Sequence, residues 1–303
     1  MTAHDPNPFD SLPPDGYFLR REPPPDADFE AGYWGRVVDP DGILRDRMAE
    51  RDRFLENIGE ELATIAALPP GRILDVGCGP GFLLSAVGEG WERHGVEVSA
   101  LAAEHARAYG QIHNGLLADA AYPDGYFDVV VLHHVIEHVA DPSALLRGIR
   151  RVLAEDGLLI LATPNFDSGC ARRFAEKYRL LHDRTHITLF SDDSMRRFLR
   201  DHGFRIARSD YPYFETPYFT QENLLRLMDT GQVSPPFYGN FMTFYCRKMT
   251  RAEAEAALVQ ALAALLPLAL PETADKAAAE AAVQALAVRA LAGRPRPAGP
   301  KKA

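Results

Sequence analysis

The chain has 303 residues, 47% of them hydrophobic, enough for one large α/β domain with appendages or two small domains. Its 42 acidic residues outnumber 33 basic ones, and the net charge of −9 argues against nucleic-acid binding, which needs basic surface. The scattered cysteines Cys78, Cys170 and Cys246 form no C-x-x-C pair, so a disulfide framework or zinc ribbon is not expected. No apolar run reaches the ~18 residues of a membrane span.

Residues 1–28, rich in Pro and Asp, read as a flexible leader that buries too little apolar surface to order itself. The opening M-T-A-H-D-P-N-P lacks the basic-then-apolar order of a signal peptide, so a cytoplasmic location is expected. Over 29–69, Ile43, Met48, Phe54, Leu55, Ile58 and Leu62 recur near helical spacing and predict N-terminal cap helices, ended by Pro69-Pro70-Gly71.

Arg72–Val76 reads as a buried parallel strand carrying one carboxylate, Asp75. Gly77, Gly79 and Gly81 follow at alternate positions before an apolar helical run, a turn in which backbone can approach a ligand closely. The spacing is not a dinucleotide fingerprint, whose third glycine would fall at Phe82, and the G-K-[ST] ending of a phosphate loop is absent. A second strand at 94–99 carries Glu97, placed 22 residues beyond Asp75, where an acid can accept from two ribose hydroxyls. A helix is predicted over 100–109, and Asp119-Ala120 precede the turn Pro123-Asp124-Gly125.

Phe127–His134 is apolar on both faces and reads as a central strand. It runs into H-H-V-I-E-H, where His133, His134, Glu137 and His138 crowd just past the strand end. A helical turn there would bring His134, Glu137 and His138 to one face. Asp141-Pro142 starts a helix that buries Leu145, Leu146, Ile149, Val152 and Leu153, and a strand follows at 157–165. The connection 166–190, with His182 and His186, is long enough to be functional. A capped helix over 192–202, a helix at 220–228 and strands at 204–214 and 239–248 complete the domain. Tyr211, Tyr213, Phe214, Tyr218, Phe219 and Phe237 fit either an aromatic-lined pocket or the core. Beyond 250, Ala/Leu-rich helices at 251–266 and 273–292 form a C-terminal appendage (250–293) that packs on the domain or on a second subunit. A tail at 294–303 is disordered by composition.

The run D-V-G-C-G-P-G closely resembles motif I of class I S-adenosylmethionine methyltransferases, and the order of features over about 70–250 is similar to that family. The segment ending E-H-V resembles its ubiquinone-biosynthesis O-methyltransferase branch. The resemblance implies an α/β fold: a Rossmann-like, seven-stranded mixed sheet with helices on both faces and its last two strands an antiparallel hairpin, over residues 70–249. It implies S-adenosylmethionine as cofactor, held by Asp75, Gly77, Gly79, Gly81 and Glu97, with Asp119 and Ala120 at the adenine and the backbone of His133 in contact. Catalysis falls to His138 or His134 as general base, with Glu137 and His186 beside them, while 29–68 and 166–190 form a lid. Some relatives hold a divalent ion through positions matching His134, Glu137 and His138. Histidine replaces an acid at 134 here, which disfavours Mg²⁺, and no metal is expected. The expected function is methylation of a small-molecule hydroxyl. The alternatives are transfer to nitrogen, carbon or a sugar, or a non-catalytic cofactor-binding module, with a nicotinamide dehydrogenase least favoured. No nucleic-acid or membrane partner is expected, and a homodimer through the C-terminal helices is a candidate.

Overall fold

A computed structural model describes residues 9–12, 17–20, 29, 31–38, 44–212, 219–236, 240–250, 252–260, 277 and 281. Among them, seven strands form one sheet: β1 (Arg72–Val76), β2 (Glu92–Glu97), β3 (Gln111–Asn114), β4 (Phe127–His133), β5 (Leu153–Pro164), β6 (Phe204–Asp210) and β7 (Phe241–Lys248). Their order is β3-β2-β1-β4-β5-β7-β6. The first five are parallel; β7 runs antiparallel to β5, and β6 antiparallel to β7. The reversed edge expected from the resemblance is therefore present.

Side-chain alternation explains why both faces are covered. Leu74, Val76, Val130 and Leu132 point to one face, where they meet α5 (Pro142–Val152) and α7 (Asp192–Asp201) through Leu146, Ile149, Met195 and Phe198. Ile73, Val129, Val131 and Ile160 point to the other, against Ile58, Ile65, Leu83 and Ala106. These belong to the stretch containing α1 (Arg51–Asn57) and α2 (Gly59–Ala66), and to α3 (Phe82–Ala86) and α4 (Ala100–Ala106). Local signals set the helix starts. Asp141 accepts from Ala144 N at 2.8 Å with Pro142 behind it, and Ser191 and Ser194 form a reciprocal capping box on α7. The strand order reverses between β1 and β4, which opens a crevice at their C-terminal ends.

Three expectations need correction. The 29–69 stretch is not helical throughout: Arg36–Val38 pairs antiparallel with Leu44–Asp46, because V-V-D-P-D-G is strand-and-turn chemistry. Part of the 1–28 leader is structured. Phe9–Leu12 and Tyr17–Arg20 form an antiparallel ribbon that Thr188–Leu189 extends, and Tyr17 is buried against Phe190 and Phe198 at ring distances of 5.2 and 5.8 Å. The 166–190 connection contains α6 (Gly169–Phe174) and a short helix Arg179–His182, packed as a satellite core with Tyr178, Leu180, Leu189 and Phe18. Residues 252–260 are helical and joined to β6 by an Arg205–Glu253 ion pair at 3.1 Å. The remainder of the appendage and the tail lie outside the described residues.

Candidate active site

The crevice is a cavity of about 1860 Å³ walled by the Gly loop, the ends of β2 and β4, the 29–61 stretch and the 179–186 segment. Gly77, Gly79 and Gly81 all have positive φ, +72°, +51° and +80°. A Cβ on Gly77 would stand 2.4 Å from Val135 Cγ2, and one on Gly79 2.4 Å from the Trp34 indole, so glycine is required for fit as well as for conformation. Gly77 N and Cys78 N both donate to Val96 O, which fastens the loop to β2. Cys78 is buried and burial pushes its thiol pKa far up, so it fills space in the loop.

Glu97 is buried at the end of β2. Its Oε2 accepts from Gly79 N and its Oε1 from Ser99 N, both at 2.8 Å. Glu97 also lines the cavity at the end of β2. Asp75 is buried beneath the loop, and burial, then the charge of Glu97, pushes its pKa up to about 7. Val98 and Leu116 are apolar yet 47% and 59% exposed on this wall, facing surfaces suited to a flat base. Asp119 and Ala120 do not line the cavity. The backbone bond from Asp119 N to Leu116 O closes a turn that buries Leu117 and leaves Asp119 exposed, so Gly115–Ala118 form the wall instead.

At the end of β4 the histidine run splits. His133 turns toward α2, with its Nδ1 3.8 Å from Glu61 Oε1 and its ring edge on Phe54 at 5.4 Å. Burial, then His134, holds it well below the usual imidazole range. His134 sits at φ +55°, uncommon for a side chain other than glycine, and its N–H donates to Ala162 O at 2.9 Å. This bend places its Nδ1 3.0 Å from Glu137 Oε1, with the side chain 31% exposed to the cavity. Glu137 is fully buried and its Oε2 accepts from Thr163 Oγ1 at 3.1 Å. Burial opposes its ionisation, but the His134 hydrogen bond and the nearby imidazoles outweigh that and bring its pKa to about 2.

Because Ile136–His138 is a tight 3₁₀ turn, His138 leaves the face shared by His134 and Glu137. Its Nδ1–H donates to Thr185 O at 2.9 Å, and its ring lies 5.1 Å from His186. His186 is buried on the cavity wall, and its Nδ1–H donates to Leu180 O at 3.0 Å. Burial lowers its pKa, partly offset by Asp183. His182 is exposed and holds Glu176 O. Tyr211 lines the cavity, Phe219 does not, and Tyr213, Phe214, Tyr218 and Phe237 lie outside the described residues. Phe29, Tyr33, Trp34, Phe54 and Phe241 supply its aromatic surface.

Three wall residues escaped the sequence reading. Glu61 is buried, accepts from Thr243 Oγ1, and has its pKa raised by burial. It lies at i+3 in the stripe Ile58, Leu62, Ile65, and an acid on an apolar stripe was the available signal. Asp183, in H-D-R-T-H, approaches His186 Nε2 at 3.8 Å. Trp34 lies on the Gly loop through tertiary packing alone.

A profile of the methyltransferase-domain family matches residues 47–209, more than half of the chain. The ubiquinone biosynthesis O-methyltransferase of Caulobacter sp. is 40% identical over 110 residues, 31% of this chain and 41% of the relative. That of Methylococcus capsulatus is 32% identical over 141 residues, 43% and 57%. An uncharacterized 37.1 kDa protein of a Streptomyces fradiae transposon is 31% identical over 175 residues, 53% and 50%. The matched part therefore spans about half the length of these relatives. Among solved structures, a SAM-dependent methyltransferase from Archaeoglobus fulgidus superposes with TM-score 0.50 at 16% identity, over 65% of this chain and 94% of that one. One from Thermotoga maritima, described as a possible histamine N-methyltransferase, gives TM-score 0.50 at 23% identity, over 66% and 95%.

A Rossmann-like sheet with a reversed edge, a glycine cradle and an acid after β2 define a class I S-adenosylmethionine-dependent methyltransferase. The chain belongs to the methyltransferase-domain family; it is an enzyme, and S-adenosylmethionine is its cofactor. No helix among the described residues is long and apolar enough to cross a membrane.

Proposed function

We propose that the enzyme methylates a hydroxyl of a small, partly aromatic acceptor, with His134 as the proton acceptor. The observation that carries this reading is the His134–Glu137 pair at the C-terminal end of β4, 3.0 Å apart and open to the cavity. A buried, ionised Glu137 accepts from Nδ1–H of His134, which fixes the tautomer and leaves the Nε2 lone pair for the acceptor's proton. S-adenosylmethionine supplies a sulfonium-bound methyl group, whose C–S bond electrons stay on sulfur as the acceptor oxygen takes the carbon. Gly77, Gly79 and Gly81 would pass beneath its amino-acid end, Asp75 would face its cationic groups, Glu97 the ribose, and Val98 and Leu116 the base. The aromatic wall from Phe29, Tyr33 and Phe241 would position the acceptor and exclude water. His138 is the weaker candidate base, because it faces His186 across the cluster. The names of the ubiquinone-biosynthesis relatives, which are O-methyltransferases, favour oxygen as the methylated atom.

The test is transfer of labelled methyl to panels of phenols, alcohols and amines. The expected result is turnover of a hydroxyl acceptor, with His134→Ala lowering kcat by roughly 10²–10⁴-fold. Turnover of amines alone, with His134→Ala leaving the pH profile unchanged, would replace this reading with N-methylation.

A further inference from the structure

We propose that the wall between α2 and β7 is a subsite for a protonated amine, so that the preferred acceptor carries an ammonium group beside its reacting hydroxyl. The inference rests on the reading above for the place of that hydroxyl at His134, and its own residues take no part in methyl transfer.

Two elements build the subsite. Thr243 and Tyr245 alternate onto one face of β7, and Thr243 Oγ1 donates to Glu61 Oε1, from α2, at 3.2 Å. All three residues line the cavity, yet Glu61 is only 4% exposed and Tyr245 only 3%.

Glu61 is short of positive charge. A buried carboxylate is costly unless a cation or several donors meet it. The Thr243 hydroxyl serves one oxygen, and burial raises the carboxyl pKa more than that hydrogen bond lowers it. His133 Nδ1 stands 3.8 Å from Oε1, beyond hydrogen-bond length, and has no hydrogen-bond partner among the described residues. Burial keeps this imidazole neutral, so it brings no charge to the acid. Arg208 lies off the cavity wall, where Asp210 at 2.9 Å and Glu60 at 3.8 Å engage it.

Tyr245 is an independent sign of a ligand. Its hydroxyl is buried and completes no hydrogen bond among the described residues, whereas a buried phenol ordinarily finds a partner. Arg208 covers the face of its ring, with Cζ 4.0 Å from the centroid. The Glu61 carboxylate, the Tyr245 oxygen and the His133 Nδ1 are each able to accept a hydrogen bond. A primary ammonium offers three N–H donors and the missing charge together, while a neutral hydroxyl offers one donor and no charge. The rings of His133 and His134 are 4.6 Å apart, so the subsite adjoins the proton acceptor. Acceptors of the amino-alcohol or aminophenol class, with the two groups a few bonds apart, reach both.

The test uses the full chain saturated with S-adenosylhomocysteine and two matched pairs of probes, tyramine with 4-ethylphenol and glucosamine with glucose. In at least one pair the amine should bind roughly 10- to 100-fold tighter, as read by calorimetry, and Glu61→Gln should erase that preference. Tyr245→Phe, which removes one oxygen atom, should weaken the amine several-fold and leave its neutral match unchanged. S-adenosylhomocysteine affinity within about threefold of the parent protein confirms that each variant is folded. Equal affinities within both pairs would overturn the proposal, as would no binding of either amine at millimolar concentration. An amine preference that survives both substitutions would overturn it too. These titrations read no methyl transfer, so a failure to methylate hydroxyls leaves them interpretable, and the two readings fail separately.

Discussion

At Gly79 the backbone lies at φ +51° with the Trp34 indole where a Cβ would point, so even Ala meets a ring atom and a strained conformation together. Gly79→Ala is expected to weaken S-adenosylhomocysteine binding by roughly 5- to 150-fold, the equivalent of 1–3 kcal/mol of backbone strain, as read by calorimetric titration. Asp75 provides a pH signature. Burial and Glu97 hold its folded pKa up to about 7, above the unfolded value near 3.8. Its contribution to stability is thus fully present below about pH 3.8 and lost as pH rises through about 7. The bound cofactor is cationic and favours the ionised carboxylate. Affinity for S-adenosylmethionine should therefore tighten from pH 6 to 8 with proton release, and Asp75→Asn should flatten that dependence. Residues fixed by neighbours in sequence were legible: the glycines and Glu97 fall at set distances from one strand. Asp119 was misplaced because a turn of four residues decides which side chain faces inward, and spacing alone does not say which. Asp183 and Glu61 matter through partners 3 and 182 positions away, Asp183 beside His186 and Glu61 with Thr243, and the longer-range contact leaves no local trace.

The 181–187 segment is an element whose position depends on another. Arg20 donates Nε to His186 O at 2.8 Å and Nη2 to Leu181 O and Asp183 O at 3.1 and 2.8 Å, while its own N–H reaches Ile187 O. One guanidinium thus holds the backbone that carries His186. Arg20→Ala should destabilise the fold by roughly 2–4 kcal/mol and lower kcat, with S-adenosylhomocysteine affinity changed less than about twofold, because the Gly-loop wall is untouched. Parallel kcat and binding measurements separate these effects. The central strands were legible because Val129–Leu132 is apolar at every position, as burial on both faces demands. The ribbon was not. A Pro- and Asp-rich stretch has the composition of a flexible chain, and only the pocket formed by Phe190 and Phe198 gives Tyr17 somewhere to bury.

On the scale of the molecule, one aromatic cluster joins the sheet core to the ribbon. Phe190 is fully buried, 5.2 Å from both Tyr17 and Phe198. Phe190→Ala should cost about 3–5 kcal/mol and expose the bond after Arg20 to trypsin before the sheet melts, which urea denaturation and timed proteolysis would follow. On the proposed reading, the ends of β1 and β2 hold the cofactor and the 29–61 and 179–186 stretches the acceptor, so ligand affinity and turnover should respond to different parts of the chain. The Arg20–His186 contact spans 166 positions in sequence. A growing chain can pair β1, β2 and β4 long before residue 186 leaves the ribosome, so the glycine cradle is complete while the histidine loop is still unmade. The Tyr17–Arg20 strand, which pairs with Phe9–Leu12 on one side, must wait for Thr188–Leu189 on the other. The His186 loop therefore joins the site only after the glycine cradle can form, so cofactor capture should precede catalytic competence during synthesis.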